Sequence, residues 1–231
     1  MISIIIPAFN EEVKIGGLIS FLKKHGEGQV LEIIVVDGGS SDNTAEAASE
    51  KGAKVIESSV RGRANQMNFG AKKARGDWLY FLHADTTPPP TFATDIMEVI
   101  HAGFECGCFR LSFDDRHPAL RIYSWFTRFD LDVFRFGDQS LFVRKALFSE
   151  VEGFDDKLLV MEDQEIVTRL KTRAQFVIIE KSVVTSARKY QRFGVFRLQF
   201  IFAIIVVLFY LKISQEVIAH FYKSFMVGSS Y

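Results

Sequence analysis

The sequence predicts a mixed α/β fold with a mostly parallel central sheet flanked by helices, followed by a C-terminal helical extension. Short apolar runs rich in β-branched residues alternate with segments of helical periodicity through the first half of the chain. Continuous apolar strands are typical of parallel sheets that helices cover on both faces. A chain of 231 residues, of which 48% are hydrophobic and 24% charged, is long enough to bury such a core.

The first half is predicted to contain four strands separated by three helices. Residues 2–6 form an apolar run that Pro7 ends, and residues 11–24 then repeat apolar side chains at helical spacing. The next predicted strands are residues 32–36, 53–56 and 78–82, and the next predicted helices start near residue 42 and cover residues 63–74. In sheets of this kind, ligands bind at the carboxyl ends of the strands.

The second half has a less regular pattern. Residues 105–113 alternate between the two faces of a strand, which is typical of a half-buried, antiparallel strand. Further helices are predicted at residues 118–129 and 161–171, and further strands at residues 139–143 and 176–179. No repeat or low-complexity linker interrupts the sequence, so residues 1–190 are predicted to form one domain and residues 191–231 the helical extension.

Composition limits the classes of partner and compartment. The formal net charge is zero, so no overall field favours nucleic acid. Cys106 and Cys108 lack a zinc-finger spacing, and cysteines so close in sequence rarely form a disulfide. We interpret them as reduced, buried thiols of a cytoplasmic protein. The N-terminal residues lack the basic start and the cleavage site of a signal peptide and are interpreted as the first strand.

Polar side chains follow three of the predicted strands. They are Asn10 and Glu11 after the first strand, Asp37 (followed by Gly38) after the second, and His83 and Asp85 after the fourth. Asp37 stands directly before two glycines, which allow a ring or a ribose to approach the backbone, so we favour ligand binding over turn formation for this residue. For Asp42 we favour turn formation or helix capping.

His83 and Asp85 are candidate metal ligands. Neither GxGxxG nor GxxxxGK[ST] occurs in the sequence, so a bound nucleotide would need another way to neutralise its phosphates. Imidazole nitrogen and carboxylate oxygen suit Mn²⁺ or Mg²⁺, which complete their shells with water and substrate phosphates. The alternative is that Asp85 only caps the helix that follows residues 88–90.

Three acids, Glu162, Asp163 and Glu165, begin the predicted helix at residues 161–171. A solvated acidic first turn is a common arrangement, because the helix dipole favours negative charge there. The apolar residues 158–161 precede these acids, which indicates a partly buried turn. A partly desolvated carboxylate is a candidate general base.

The segments PAFNE, VDGGSSDNT, RGRANQMNFGAKKARGDWLYFLHAD, GDQSLFVRK and MEDQE occur in this order over residues 2–190. Together they resemble the family-2 glycosyltransferases of the GT-A fold, a Rossmann-like α/β architecture. The chain is most similar to a small bacterial branch that has HAD where the wider family has DxD. The resemblance implies inverting transfer of a sugar from a nucleotide-diphosphate donor to an acceptor hydroxyl, with Mn²⁺ or Mg²⁺ as cofactor. Acceptors of this family include lipid-linked and cell-envelope glycans.

The resemblance also implies a role for individual residues. The nucleotide pocket would include Pro7, Ala8, Asn10, Glu11, Asp37, Gly38 and Arg63, with Asp37 bonded to the base and Arg63 near the base or the phosphates. Asp85 would bind the metal, and His83 stands where the first acid of DxD is expected. Asp163 would be the general base, with Glu162 beside it. Residues 137–139, which include Asp138 and Gln139, would face the donor sugar or the acceptor, and Arg188 would contact the leaving diphosphate.

The C-terminal extension contains an almost wholly apolar segment, residues 198–211, next to a basic cluster at residues 188–197. An amphipathic helix is predicted at residues 214–225. The apolar segment could be a core helix, an interfacial helix or a short membrane span, although a span needs roughly 20 residues. We favour the interfacial interpretation, with residues 195–225 in peripheral contact with the cytoplasmic face of the cell membrane.

Two alternative functions remain at this point. A sugar-nucleotide nucleotidyltransferase uses a related sheet, but it usually has a glycine-rich basic loop after the first strand, where this chain has residues 8–11. The chain could also be a non-catalytic, membrane-associated subunit that binds nucleotide sugars. The presence of both Asp85 and Asp163 argues against the second alternative.

Overall fold

The computed structural model describes residues 1–60, 62–135 and 137–227, and this part of the chain is built around one eight-stranded sheet. The strands are β1 (Ile2–Ala8), β2 (Val30–Asp37), β3 (Lys54–Glu57), β4 (Trp78–Phe81), β5 (Thr86–Thr87), β6 (Cys106–Phe113), β7 (Leu141–Arg144) and β8 (Phe176–Thr185). The helices are α1 (Glu12–His25), α2 (Thr44–Glu50), α3 (Arg63–Lys73), α4 (Phe92–His101), α5 (Pro118–Phe126), α6 (Lys145–Glu150), α7 (Glu162–Lys171), α8 (Arg188–Phe193), α9 (Val195–Tyr210) and α10 (Gln215–Val227).

The first part of the sheet is parallel, as predicted. Strands β3, β2, β1 and β4 are neighbours in that order and run in the same direction. Ile4 of β1 lies between Ile33 of β2 and Tyr80 of β4, and all three side chains are buried. This arrangement brings the carboxyl ends of β1, β2 and β4 to one edge of the sheet.

The second part of the sheet is mixed. Strand β7 is antiparallel to both β4 and β6, whereas β6 is parallel to β8 and the short β5 is antiparallel to β8. The antiparallel character predicted for residues 105–113 therefore applies only to the pairing with β7, since the longer ladder of β6 is parallel. Cys106 and Cys108 on β6 are buried free thiols, as predicted.

Strand β8 is longer than the prediction of residues 176–179. Glu180 and Lys181 interrupt the apolar pattern, but their side chains lie on the exposed side and form ion pairs. Glu180 lies 3.1 Å from Arg110, and Lys181 lies 2.6 Å from Asp95 of α4. Because both charges are paired, the strand continues to Thr185.

Helices cover both faces of the sheet. Ile15 and Ile19 of α1 belong to the core on one face, and Met67 of α3 belongs to the core on the other. Helix α3 packs very closely, since a Cβ on Gly70 would lie 2.5 Å from Cγ2 of Ile5. Glycine at this position therefore permits the contact between α3 and β1.

The chain between β6 and β7 departs from the predicted boundaries. Helix α5 ends at Phe126, and the Thr127 hydroxyl that follows it accepts the backbone N–H of Leu111 at 3.0 Å. Strand β7 begins two residues later than predicted. Gln139 lies in the 3-10 turn Gly137–Gln139, and Ser140 has a φ of 61°, which redirects the backbone before the strand starts.

The C-terminal helices form a small cluster of their own. Ile201 and Ile205 of α9 pack with Ile218 of α10, and this cluster contacts Val160 and Met161 directly before α7. The extension therefore supports the loop that leads into the acidic first turn of α7.

Helix α9 has two different apolar faces. Leu198, Ile201 and Ile205 are buried, whereas Phe196 and Phe200 are 70% and 67% exposed. Among the described residues, no helix is both long and apolar enough to cross a membrane. Helix α9 therefore has one packed and one exposed apolar face.

Candidate active site

The loops that follow β1 and β2 are tied together at the carboxyl edge of the sheet. Asp37 Oδ2 accepts the backbone N–H groups of Gly39 and Ser40 at 3.0 and 2.9 Å. Asn10 has a φ of 54°, and its Oδ1 accepts the backbone N–H of Ser41 at 2.8 Å. Asparagine tolerates this left-handed conformation better than most residues. These hydrogen bonds join the two loops into one polar rim.

Gln66 of α3 closes the gap between β1 and β2. Its side chain is buried, and Nε2 donates to the carbonyl oxygens of Ala8 and Val36 at 3.0 and 2.8 Å. A Cβ on Gly38 would lie 2.9 Å from this nitrogen, so the glycine makes room for Gln66. Gln66 was not among the predicted site residues. The sequence does contain one indication of its role, because Gln66 is a polar residue one turn before Gly70 on the buried face of α3.

His83, Asp85 and Asp138 form a group whose potential metal-ligating atoms lie within 4.8 Å of one another. His83 and Asp85 follow β4, and Asp138 comes from the 3-10 turn before β7. The His83 Nδ1 and Asp138 Oδ1 atoms are 2.9 Å apart. This hydrogen bond fixes the orientation of the imidazole ring. The contact with Asp138 was not predicted.

The chemistry of this group fits a divalent cation. Loss of hydration favours the neutral acid at Asp138, but the hydrogen bond and charge of His83 outweigh it and lower the pKa to about 2. Burial likewise opposes the charged form of His83, but the bond to Asp138 raises its pKa. Carboxylates and an imidazole are a ligand set that Mn²⁺ and Mg²⁺ accept.

Asp163 lies beside this group, in the first turn of α7. A Cβ on Gly137 would lie 2.1 Å from Asp163 Oδ2 and 2.8 Å from His83 Cε1, so the backbone of Gly137 fits between the two side chains. Burial, followed by the charge of Glu162, raises the pKa of Asp163 to about 6. An acid with this pKa is ionised at neutral pH and still basic enough to accept a proton.

Glu162 points away from solvent and pairs with Arg63 at the start of α3. The Glu162 side chain is 1% exposed, and its Oε1 lies 2.9 Å from Nε of Arg63. The charge of Glu162 raises the pKa of Arg63 although burial opposes this, and Asp163 contributes in the same direction. Arg63, predicted near the base or phosphates, therefore lies on the side of the site that carries Asp163.

Arg188 connects the ends of β1 and β4. Its guanidinium forms a bidentate pair with Glu11, and its Nη2 lies 3.3 Å from Asp85 Oδ2. The bond to Glu11 raises the pKa of Arg188. The residue is thus at the mouth of the group formed by His83, Asp85 and Asp138.

Residues 3–148, more than half of the chain, match the profile of glycosyl transferase family 2. The chain belongs to glycosyl transferase family 2. This family-2 glycosyltransferase is similar to the PGL/p-HBAD biosynthesis glycosyltransferase of Mycobacterium tuberculosis, with 27% identity over 205 residues, which are 84% of this chain and 78% of the relative. It is an enzyme that transfers a sugar from a nucleotide-sugar donor.

Solved structures confirm the fold of this family-2 glycosyltransferase. It superimposes on S. aureus TarS in complex with UDP-GlcNAc with a TM-score of 0.68 and 19% identity, over 80% of this chain but only 58% of that one. The glucosyl-3-phosphoglycerate synthase of Mycobacterium tuberculosis, in complex with Mn²⁺, UDP and glucosyl-3-phosphoglycerate, gives a TM-score of 0.63 and 20% identity over 90% of this chain and 78% of that one. Both support the predicted GT-A architecture.

Three predicted pocket residues of this family-2 glycosyltransferase have buried side chains. Pro7 and Ala8 lie within β1, which continues through the proline to pair with Asp37. Gln139 is 1% exposed, and its Nε2 donates to the carbonyl oxygen of Phe109 at 3.2 Å. The side chain of Gln139 thus anchors the 3-10 turn that carries Asp138. Contact of these residues with the donor stays a prediction.

Proposed function

We propose that this enzyme is an inverting glycosyltransferase that uses a nucleotide-diphosphate sugar and transfers the sugar to an acceptor hydroxyl in one displacement. The observation that carries the proposal is the position of Asp163, whose partly buried carboxylate lies beside the group formed by His83, Asp85 and Asp138. A base therefore stands next to a group suited to a cation and a diphosphate, which are the two parts that such a reaction requires.

The chemistry assigns one step to Asp163. Its carboxylate accepts the proton of the acceptor hydroxyl as the acceptor oxygen bonds to the anomeric carbon. The bond between that carbon and the diphosphate oxygen breaks, and the nucleoside diphosphate leaves from the opposite face. Because a single displacement inverts the anomeric centre, no second carboxylate nucleophile is needed, in contrast to retaining glycoside hydrolases.

The other residues bind and orient the donor. Asn10, Glu11 and Asp37 line the nucleotide side of the site, and Asp37 accepts a hydrogen bond from the base. Asp85, His83 and Asp138 would hold Mn²⁺ or Mg²⁺, and the cation would supply charge neutralisation of the diphosphate. The proposal is supported by the compatible ligand set and by the solved relatives that contain Mn²⁺ or Mg²⁺ with UDP.

Residues 191–231 are proposed as a peripheral membrane element beside the transferase domain of residues 1–190. The exposed apolar face of α9 supports contact through residues 195–225. This contact would place the enzyme on the cytoplasmic face of the cell membrane, close to a lipid-linked acceptor. Residues 228–231 lie outside the described part of the chain.

Calorimetry with a panel of nucleoside diphosphates, with and without Mn²⁺, tests the donor half of the proposal. We expect one nucleotide to bind tightly to the wild type in Mn²⁺ and to lose at least about tenfold in affinity in Asp85→Ala, because this variant lacks a ligand for the cation that would neutralise the diphosphate. Glu46→Ala, on the exposed surface of α2, is a control for removing a carboxylate elsewhere. If no nucleotide binds under any condition, the proposed function is wrong.

A further inference from the structure

Arg188 contacts two carboxylates, of which the proposed function assigns Glu11 to the donor and Asp85 to the metal. Its Nη1 donates to Glu11 Oε2 at 2.9 Å, and its Nη2 donates to Glu11 Oε1. The same Nη2 lies 3.3 Å from Asp85 Oδ2. One guanidinium therefore spans the ends of two neighbouring strands, at the edge of the candidate metal group.

The exposures of the three side chains show which partner can move. Glu11 and Asp85 are 12% and 19% exposed, whereas Arg188 is 44% exposed. The two carboxylates are held in a partly desolvated site and need a cation beside them. The arginine, in contrast, is half in solvent at the end of a long side chain and can change partners without a change in the core.

The backbone under Arg188 is fixed. Arg188 is the first residue of α8, and the preceding backbone N–H of Ala187 donates to Asp114 Oδ1 at 2.7 Å. Just before this, the hydroxyls of Thr185 and Thr86 are joined by a hydrogen bond of 2.9 Å. A change of partner thus involves only rotation of the Arg188 side chain about a fixed anchor.

A guanidinium and a divalent cation cannot share Asp85 without cost. A cation that enters the group of His83, Asp85 and Asp138 meets the positive charge of Arg188 about a hydrogen-bond length from one of its own ligands. A diphosphate, on the other hand, offers the planar fork of arginine a bidentate partner of the same geometry as Glu11.

We propose that Arg188 is a tethered cation that occupies Glu11 and Asp85 in the donor-free enzyme and transfers its hydrogen bonds to the diphosphate when donor and metal bind. The inference rests on the proposed function and extends it. The metal alone must displace the guanidinium, whereas the donor gives it a new partner. Metal and donor therefore bind cooperatively, and the coupling passes through one side chain.

Calorimetry on the full chain measures this coupling in two titrations. Mn²⁺ alone is titrated into the wild type, Arg188→Ala and Arg188→Lys, and the nucleoside diphosphates are then titrated at saturating Mn²⁺. In Arg188→Ala we expect Mn²⁺ alone to bind about fivefold more tightly and the nucleotide to bind at least about tenfold more weakly. Arg188→Lys keeps the charge but loses the fork, so we expect Mn²⁺ affinity near the wild-type value and weakened nucleotide binding.

Arg192→Ala is the matched control, because it removes the same charge from the same helix. The Cζ atom of Arg192 lies 5.2 Å from the centroid of the Phe193 ring. It should change neither titration by more than about twofold. If the wild type binds a nucleotide with Mn²⁺ but Arg188→Ala does not bind Mn²⁺ alone more tightly, the role of Arg188 is overturned and the proposed function stands. If the wild type binds no nucleotide at all, both fail.

Discussion

At the scale of single residues, the site depends on the absence of a side chain at Gly137. The backbone there separates the side chains of Asp163 and His83, and a Cβ would lie 2.1 Å from Asp163 Oδ2 and 2.6 Å from its Cγ. Real Cβ contacts are essentially never this short, so any substitution must displace the carboxylate. Catalysis is sensitive to shifts of this size, because the reacting groups must lie in near-attack geometry.

We therefore expect Gly137→Ala to lower kcat by about 100-fold, with a smaller effect on donor affinity. Steady-state kinetics and nucleotide calorimetry on the same preparation separate the two effects. Gly17→Ala is the matched control, since a Cβ there meets nothing within 4 Å on the exposed side of α1. This control should retain full activity and gain up to about 1 kcal/mol of stability, because alanine favours the helix. Full kcat in Gly137→Ala would contradict the assignment of Asp163.

At the scale of secondary-structure elements, the entry into α7 combines several unfavourable features. Met161 adopts a φ of 71°, which is strained for a residue that is not glycine. Glu162 and Asp163 follow it as adjacent acids, with Glu162 fully buried against Arg63. Packing of Met161 against the cluster of α9 and α10 compensates for the strain. The raised pKa of Asp163 indicates that its charged form is destabilising in the folded chain.

The raised pKa of Asp163 leads to a prediction for both activity and stability. Because the base must be ionised, kcat/KM should fall about tenfold per pH unit below about pH 6. The folded state binds this proton more tightly than the unfolded state, whose pKa is 3.8. The free energy of unfolding therefore decreases as the pH rises from 3.8 to about 6, and this loss of stability persists at higher pH.

Asp163→Asn should abolish turnover and remove the loss of stability that the ionised Asp163 causes. Urea unfolding should show the variant to be more stable than the wild type at pH 7.5, by on the order of 1 kcal/mol, and the difference should shrink toward zero at pH 4. Asp155→Asn, on the surface loop before α7, controls for loss of a negative charge. If the difference in free energy of unfolding between Asp163→Asn and the wild type is the same at pH 7.5 and at pH 4, the pKa of Asp163 is not raised.

The elements also show what the sequence could predict and why the rest was hidden. The parallel strands of the first half were predictable because their apolar runs are continuous and both faces are buried. The length of β8 was not, since Glu180 and Lys181 satisfy their charges through distant partners. The hydrophobic pattern of a short segment does not indicate ion pairs with residues that are distant in the sequence.

The same limit applies to the candidate site. The polar residues at the strand ends were predictable, because the ends of parallel strands share one edge. The buried side chains that hold these strand ends and loops in place were not predictable. Gln66 bonds to two strands, and the buried Arg135 donates to the carbonyl oxygens of Thr127 and Phe129, which are residues that nothing in the local pattern connects with it.

At the scale of the whole molecule, a formal charge of zero hides an uneven distribution. Residues 187–215 contain five Lys or Arg and no Asp or Glu, which leaves 23 basic and 28 acidic residues elsewhere, from totals of 28 and 28. The same segment contains α9, whose exposed stripe of Phe196, Phe200, Val207 and Tyr210 follows the helical repeat. Basic residues beside an apolar stripe are complementary to an anionic lipid surface.

Sedimentation with lipid vesicles tests this proposed contact on the full chain. We expect binding to vesicles with about 30% anionic lipid and much weaker binding to neutral vesicles, since each basic residue contributes roughly 1 kcal/mol near an anionic surface. Phe200→Glu should reduce binding at least about tenfold, because it places a charge in the middle of the apolar stripe. Val13→Glu makes the same change at a residue that is 89% exposed on α1 and should bind like the wild type. Equal loss in both variants would mean that charge alone governs association, whereas binding unchanged in Phe200→Glu would exclude α9 from the contact and leave its exposed face for another partner.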